Sequence, residues 1–324
     1  MFYKCIKFYI NNCLLNIIIY VKIIFGLIER DNMPSYKTHS IHGELILPYI
    51  DKKIKISKED IKTFCIGPDT MTATDYKLFD YQHANKIKEY FESLLKLVKQ
   101  NKLQDNSEVM AFVYGQIDHY ILDTITHPYI YYITENLPQN NVILPHGLIE
   151  MWIDDYIVKK FNINEKNYYH KLKINSEKLK NLINNLYSKV YNKSLSYLKY
   201  KYGMLLINLF DLKVRRNSIK VAPFLTKILN IGDVAYHENL SKVLPYLNLD
   251  KDIWYNPETG EKSNDSFDDL WIKSIDISLE TIDDINKYLY LDRELKNPYI
   301  SNNISYNTGL PCEKGQSFQH IKKY

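Results

Sequence analysis

Residues 115–130 read GQIDHYILDTITHPYI, and within them His119, Asp123 and His127 stand four residues apart. On an α-helix such a step advances about 6 Å and leaves the side chains about 40° apart, so all three share one face. The rest of the stretch is apolar, the pattern of a helix buried at the centre of a domain. Imidazole and carboxylate buried there without partners would cost several kcal/mol. A metal ion supplies such partners, because neutral imidazole and carboxylate are what Zn²⁺ and related ions take as ligands. His146 and Glu150 repeat the spacing downstream. Residues 107–127 are therefore expected to form a buried helix, closed by Pro128, whose polar face is a set of ligands.

Outward from this helix the pattern stays helical. A short segment at 39–47 carries Ile41, Leu45 and Leu47. Residues 80–100 form a long amphipathic stretch with Tyr90, Phe91, Leu94, Leu95 and Leu97 on its apolar side. A loop with Pro138, Asn140, Asn141 and Pro145 leads to a second ligand-bearing helix at 146–161. Segments 175–202, 217–232 and 266–290 have helical spacing, and the turn-rich WYNPETGEKSND (254–265) precedes the last of them. Ser266 with Asp269 makes an N-terminal capping arrangement. The tail 297–324 reads as irregular, strand-like alternation is scarce, and no internal repeat stands out. These features predict an all-α fold with a single core.

Composition narrows the function. The 324 residues are 45% hydrophobic and 25% charged, as in ordinary soluble domains, and can bury a large core. A net charge of +4 does not mark a nucleic-acid binder, and the basic run Lys213-Val214-Arg215-Arg216 reads as a solvated helix end. Cys5, Cys13, Cys65 and Cys312 have no CxxC spacing, so they suggest neither a thiolate zinc site nor a disulfide framework. Cys65, between Phe64 and Ile66, reads as buried filler. Any metal is left to histidine and carboxylate.

Four more candidates precede the central helix: His39, His42, Asp69 in FCIGPDT, and His83. Six of the nine histidines lie between His39 and His146, whereas His170, His237 and His320 are scattered in polar contexts and read as surface residues. His42 reads as solvent-facing, with a supporting place behind the ligands as the alternative. Glu135 and Asp155 read as surface charges. Tyr129, Tyr131 and Tyr132 suit either a lipid-contacting rim or plain core packing.

The ordered set Thr38-His39, Gly67-Pro68-Asp69, His83, His119-x-x-x-Asp123, His127 before proline, and His146-x-x-x-Glu150 resembles the zinc-dependent phospholipase C family. The stretch WYNPETGEKSNDSFDDLW (254–271) is also similar to clostridial members. The resemblance implies an all-α domain around two or three zinc ions. Asp69, His83, His119 and Asp123 would hold one ion and His127, His146 and Glu150 a second. His39 would join Asp123 at a third, with Asp123 bridging. Two departures stand out. The step from Asp123 to His127 is about two residues shorter than in the secreted members, and no tryptophan precedes Trp152 to complete a third site as an N-terminal residue does there. The free amine of Pro34, exposed if Met33 starts the chain and is removed, is a substitute. Asp69, in a turn rather than on a ligand helix, is either a plain ligand or the group that orients or deprotonates the attacking water.

Residues 1–32 have lysines before an apolar middle, yet Asn11, Asn12, Asn16 and Lys22 interrupt it, and no alanine precedes Ala73 to form a small-residue cleavage site. Polar residues also make it a marginal membrane span. Glu29-Arg30-Asp31 can be encoded by a purine-rich stretch resembling a ribosome-binding site. The expectation is translation from Met33, giving a cytoplasmic domain over 33–324 and a non-structural extension over 1–32; a signal or anchor leading to secretion is the alternative.

The resemblance implies a phosphodiester hydrolase acting on phospholipid head groups, with transient contact to a membrane surface and no specific nucleic-acid binding. The same zinc site on single-stranded nucleic acid, as in the related fungal nucleases, is a second reading. A non-catalytic protein with structural zinc is a third.

Overall fold

The computed structural model describes residues 36–50, 54–135, 145–164, 170, 174–194, 197–210 and 240–320. Outside them lie the segment 1–32, the amine of Pro34, the loop around Pro138, the basic run at 213–216, the expected helix 217–232 and His237. The described residues form ten α-helices in chain order: α1 (Tyr36–Ile46), α2 (Lys58–Phe64), α3 (Tyr76–Ala84), α4 (Ile87–Gln100), α5 (Ser107–Glu135), α6 (Pro145–Lys160), α7 (Glu177–Tyr191), α8 (Tyr197–Phe210), α9 (Phe267–Leu291) and α10 (Pro298–Ser301). The sheet is one antiparallel ladder of β1 (Trp254–Tyr255) and β2 (Lys262–Ser263), in register Trp254 with Ser263. The all-α expectation is met.

The helix that carries His119 is the centre of the core. Val109, Phe112, Val113, Ile117, Tyr120 and Ile121 of α5 are all buried, each contributing roughly 1.5–3 kcal/mol by leaving water. Helices α1, α2, α6 and α9 pack around it. The capping arrangement at Ser266 forms in full, with Asp269 N–H donating to Ser266 Oγ and Ser266 N–H donating to the Asp269 carboxylate.

Four of the expected elements differ in the structure. Helix α5 does not stop at Pro128 but continues to Glu135, because Tyr129, Ile130 and Tyr131 are buried in tertiary contacts and Tyr129 Oη donates to the Tyr246 carbonyl at 2.9 Å. The 80–100 stretch is two helices, broken at Asn85–Lys86, where Lys86 takes a left-handed φ of 59°. The 175–202 stretch is likewise divided between α7, which ends at left-handed Asn192, and α8. The turn-rich 254–265 segment contains the β1–β2 ladder.

His42 is not solvent-facing. It is fully buried, with Nδ1 2.8 Å from Asp118 Oδ1 and Nε2 2.8 Å from Ser274 Oγ, and its ring stands edge-on to Trp271. It therefore ties α1 to α5 and α9, behind the face of α5 that carries the candidate ligands. Removing it would leave the buried Asp118 carboxylate without its principal partner, a loss of about 3–5 kcal/mol. We expect His42→Ala to lower the thermal unfolding midpoint by about 10 °C; a midpoint within a degree of the parent would contradict this role. His170 and Asp155 are buried as well rather than on the surface, and His170 Nε2 lies 2.9 Å from Ser40 Oγ. Among the described residues no helix is long and apolar enough to cross a membrane.

Candidate metal centre

Five elements bring eight side chains together. Helix α1 supplies His39, the 3₁₀ turn Gly67–Met71 supplies Asp69, α3 supplies His83, α5 supplies His119, Asp123 and His127, and α6 supplies His146 and Glu150. All eight are buried. They form three trios in which one ligand atom per residue lies within 4.8 Å of the others: His39–His119–Asp123, Asp69–His83–His119 and His127–His146–Glu150.

The separations fit a metal. Two ligand atoms about 2.0–2.1 Å from a tetrahedral zinc lie about 3.3 Å apart. Here His39 Nε2 is 3.2 Å from Asp123 Oδ1, and His83 Nε2 is 3.3 Å from Asp69 Oδ1. His127 Nε2 and His146 Nε2 are each 3.2 Å from Glu150 Oε1. His119 Nε2 lies 3.1 Å from Asp123 Oδ2, yet this buried nitrogen makes no well-directed hydrogen bond. An orphaned nitrogen among carboxylates is better explained by an ion than by a hydrogen bond.

The backbone sets the tautomers. His83 Nδ1 faces the Phe79 carbonyl at 2.8 Å, His119 Nδ1 the Cys65 carbonyl at 3.0 Å, and His127 Nδ1 the Tyr306 carbonyl at 3.0 Å. A carbonyl only accepts, so each Nδ1 carries the proton and donates it, turning Nε2 toward the other ligands. His39 owes its position to α6. The Asp154 carboxylate, one turn beyond Glu150, accepts from Thr38 N–H at 2.7 Å and Thr38 Oγ1–H at 2.8 Å, capping the start of α1.

Gly67 explains the G-P-D sequence. Its φ of +57° is the left-handed region, and a Cβ there would meet the His119 ring at 2.6 Å. Only glycine lets the turn carrying Asp69 lie against that imidazole.

Charge is balanced locally. Burial disfavours the charged form of His119, yet the carboxylates of Asp123 and Asp69 outweigh it and push the imidazole up to about 9. For His127 burial is likewise overcome, by Asp123 and Glu150, again to about 9. Burial alone would raise Glu150, but His146 and His127 bring it down to about 2. Asp123 is held well below the usual carboxylate range, since His127, His119 and His39 outweigh its burial. At pH 8 the metal-free protein therefore keeps protons on His119 and His127 that a zinc ion must displace. We expect zinc binding at pH 8 to release about two protons per chain, fewer as pH rises past about 9. Calorimetric titrations in buffers of different ionisation enthalpy would read this number, and release near zero at pH 8 would contradict it.

The second expected set, His127, His146 and Glu150, meets as a trio despite the short step from Asp123. The first meets with one change: Asp69, His83 and His119 share a trio, while Asp123 stands with His39 and His119. The two oxygens of Asp123 face opposite ways. Oδ2 lies toward His119 and His83, at 3.1 and 3.7 Å, and Oδ1 toward His39 and His127, at 3.2 and 3.7 Å. That disposition suits a bridging carboxylate.

Seven of the eight, all but the deeper His119, line one cleft together with Phe79, Tyr131 and Asn307. Tyr129 and Tyr131 are buried, and Tyr131 sits in the cleft with its ring 4.6 Å from that of His146. Sequence spacing gave no hint of Asn307, Asp154 or the Tyr306 carbonyl. Asn307 and Tyr306 lie more than 150 residues beyond Glu150, the last candidate ligand, and a carbonyl carries no residue signature.

No curated protein matches this chain, and no solved structure does. A model of the zinc-dependent phospholipase C family matches residues 38–203, a stretch that covers half the chain and includes all eight candidate ligands. With the helical fold and the three ligand trios, this match shows that the chain belongs to the zinc-dependent phospholipase C family.

Proposed function

We propose that the protein hydrolyses the phosphodiester of phospholipid head groups, giving diacylglycerol and a phosphorylated alcohol. The observation that carries this reading is the meeting of three nitrogen–oxygen ligand trios around one cleft in a chain of this family. Asp69, His83 and His119 would hold one zinc ion, His127, His146 and Glu150 a second, and His39 with Asp123 a third, with Asp123 bridging. When bound, the ions acidify a water molecule and neutralise the phosphate oxygens.

The chain's own groups do the rest. The carbonyls of Phe79, Cys65 and Tyr306 keep His83, His119 and His127 in the ligand tautomer without any rearrangement. Asp69, on the turn rather than a helix and lining the cleft, takes the proton of the attacking water as the water oxygen bonds to phosphorus, while the P–O bond to glycerol breaks in line and the departing oxygen takes up a proton from solvent to give diacylglycerol. Buried Asp123 and Glu150 stay ionised and balance the imidazoles around them. The small net charge of +4 favours a lipid over single-stranded nucleic acid, which calls for a basic groove with stacking aromatics.

The test is release of phosphocholine from phosphatidylcholine in mixed micelles by the zinc-loaded protein. We expect turnover that a chelator abolishes and added zinc restores. Cleavage of single-stranded DNA without head-group release would transfer the same site to a nuclease. Hydrolysis of neither substrate, by a protein that unfolds when zinc is removed, would leave the metal a structural part.

A further inference from the structure

One residue lining the metal cleft, Asn307, comes from the far end of the chain, beyond the matched residues 38–203. Residues 305–318 run from the ligands to the β1–β2 turn. At the inner end, Tyr306 N–H donates to the His83 carbonyl at 3.0 Å while the Tyr306 carbonyl accepts from His127 Nδ1. Asn307 then lines the cleft, and its Nδ2 donates to Gln316 Oε1 at 3.3 Å. At the outer end the Phe318 ring lies 4.6 Å from that of Tyr131, whose ring in turn lies 4.6 Å from that of His146, both pairs tilted.

Two observations mark the outer end as a built contact. Phe318 has a φ of 47°, a left-handed conformation that a bulky residue keeps only when its surroundings enforce it. Those surroundings are one carboxylate: Glu258 accepts from Ser317 N–H at 2.8 Å, Ser317 Oγ–H at 2.7 Å and Phe318 N–H at 3.1 Å. The free space in the cleft is about 20 Å³, room for a water molecule and far less than a phosphodiester with its head group needs. A larger ligand reaches the ligand side chains only past the other lining residues, Phe79, Tyr131 and Asn307. The ligand helices are fixed by the core, whereas Gln316 and Ser317 are exposed.

We propose that the C-terminal segment 305–318 is the access-determining wall of this site, and that Phe318, tethered through Glu258 and seated on Tyr131, sets the size of ligand that reaches the metal-binding side chains. The proposal rests on the metal centre of the preceding section and not on the identity of the substrate. The wall excludes bulky molecules while Phe318 is seated, and its release opens the cleft on the side of His146 and Asn307. Phe318 and Glu258 act through Tyr131 and the segment backbone, so they are positioning residues.

The test uses the full-length zinc-loaded protein and the chelator pyridine-2,6-dicarboxylate, with zinc removal followed in time as chelator concentration is varied. Loss of one aromatic contact corresponds to about a twofold to tenfold change in an opening equilibrium. Phe318→Ala and Glu258→Gln should each speed removal by about that factor, with initial zinc content and unfolding midpoint unchanged. Phe318→Tyr, which keeps the ring contact, should remain as slow as the parent. Removal at the parental rate in both Phe318→Ala and Glu258→Gln would overturn the proposal. A parent protein that binds no zinc would overturn it together with the metal centre. Faster removal in the variants, with no lipid hydrolysis by any of them, would uphold the wall and reject only the lipid.

Discussion

Replacing His119 by alanine is expected to remove more function than any other single change, because His119 belongs to two of the three ligand trios. Its Nε2 lies 3.1 Å from Asp123 and 3.6 Å from Asp69, so its loss disconnects the two carboxylates that would face the same pair of ions. Zinc per chain should fall to about one, the ion held by His127, His146 and Glu150, which the substitution leaves intact. Hydrolysis should drop at least about a hundredfold, the scale on which even the partners that orient ligands act. His146→Ala should do the converse, keeping zinc at Asp69, His83 and His119. Elemental analysis of the two purified variants checks this directly. Unchanged zinc content in His119→Ala would refute the assignment of the site.

The second large effect is expected at a residue with no side chain. In Gly67→Ala the new Cβ would stand 2.6 Å from His119 Cγ and 2.7 Å from Cδ2, closer than real Cβ contacts come. The ring is tied at Nδ1 to the Cys65 carbonyl and stacked on the His39 ring 4.0 Å away, so it has little freedom to retreat. The left-handed backbone adds a cost of about 1–2 kcal/mol. A displaced imidazole misplaces Asp69 as well, and a shift near 1 Å at a catalytic centre costs about a hundredfold. We expect zinc affinity and turnover both to fall by about that factor, with helical content by circular dichroism retained. Gly315→Ala provides the comparison. That glycine also has positive φ, 70°, but nothing within 4 Å of its Cβ position, so only the backbone cost applies and zinc content should not change. Equal behaviour of the two variants would mean that strain, not the packing of His119, accounts for Gly67.

The ligand set was legible because a helix repeats on a short period. His119, Asp123 and His127 lie within two turns, and His146 and Glu150 within one, so spacing alone put each group on one face. Spacing also explains the errors. It placed a stop at Pro128, where local chemistry favours one, but burial of Tyr129, Ile130 and Tyr131 outweighs the lost hydrogen bond and carries α5 on to Glu135. It treated 80–100 as one helix, since the apolar stripe continues, and missed the left-handed turn at Lys86. His42 read as solvent-facing, and His170 read as a surface residue because its neighbours in sequence are polar. Their partners, Asp118 and Ser274 for one and Ser40 and Asn208 for the other, come from elsewhere in the chain.

By itself, then, the sequence determined that this is a helical protein whose central helix gathers candidate metal ligands on one face, since both features are local and follow from a period of 3.6 residues. Which oxygens of Asp123 face which histidines, which carbonyls fix the tautomers, and what closes the cleft were decided only by tertiary structure. Those contacts join residues as far apart as Tyr131 and Phe318, and no local period relates them; packing of the whole chain around α5 brings them together.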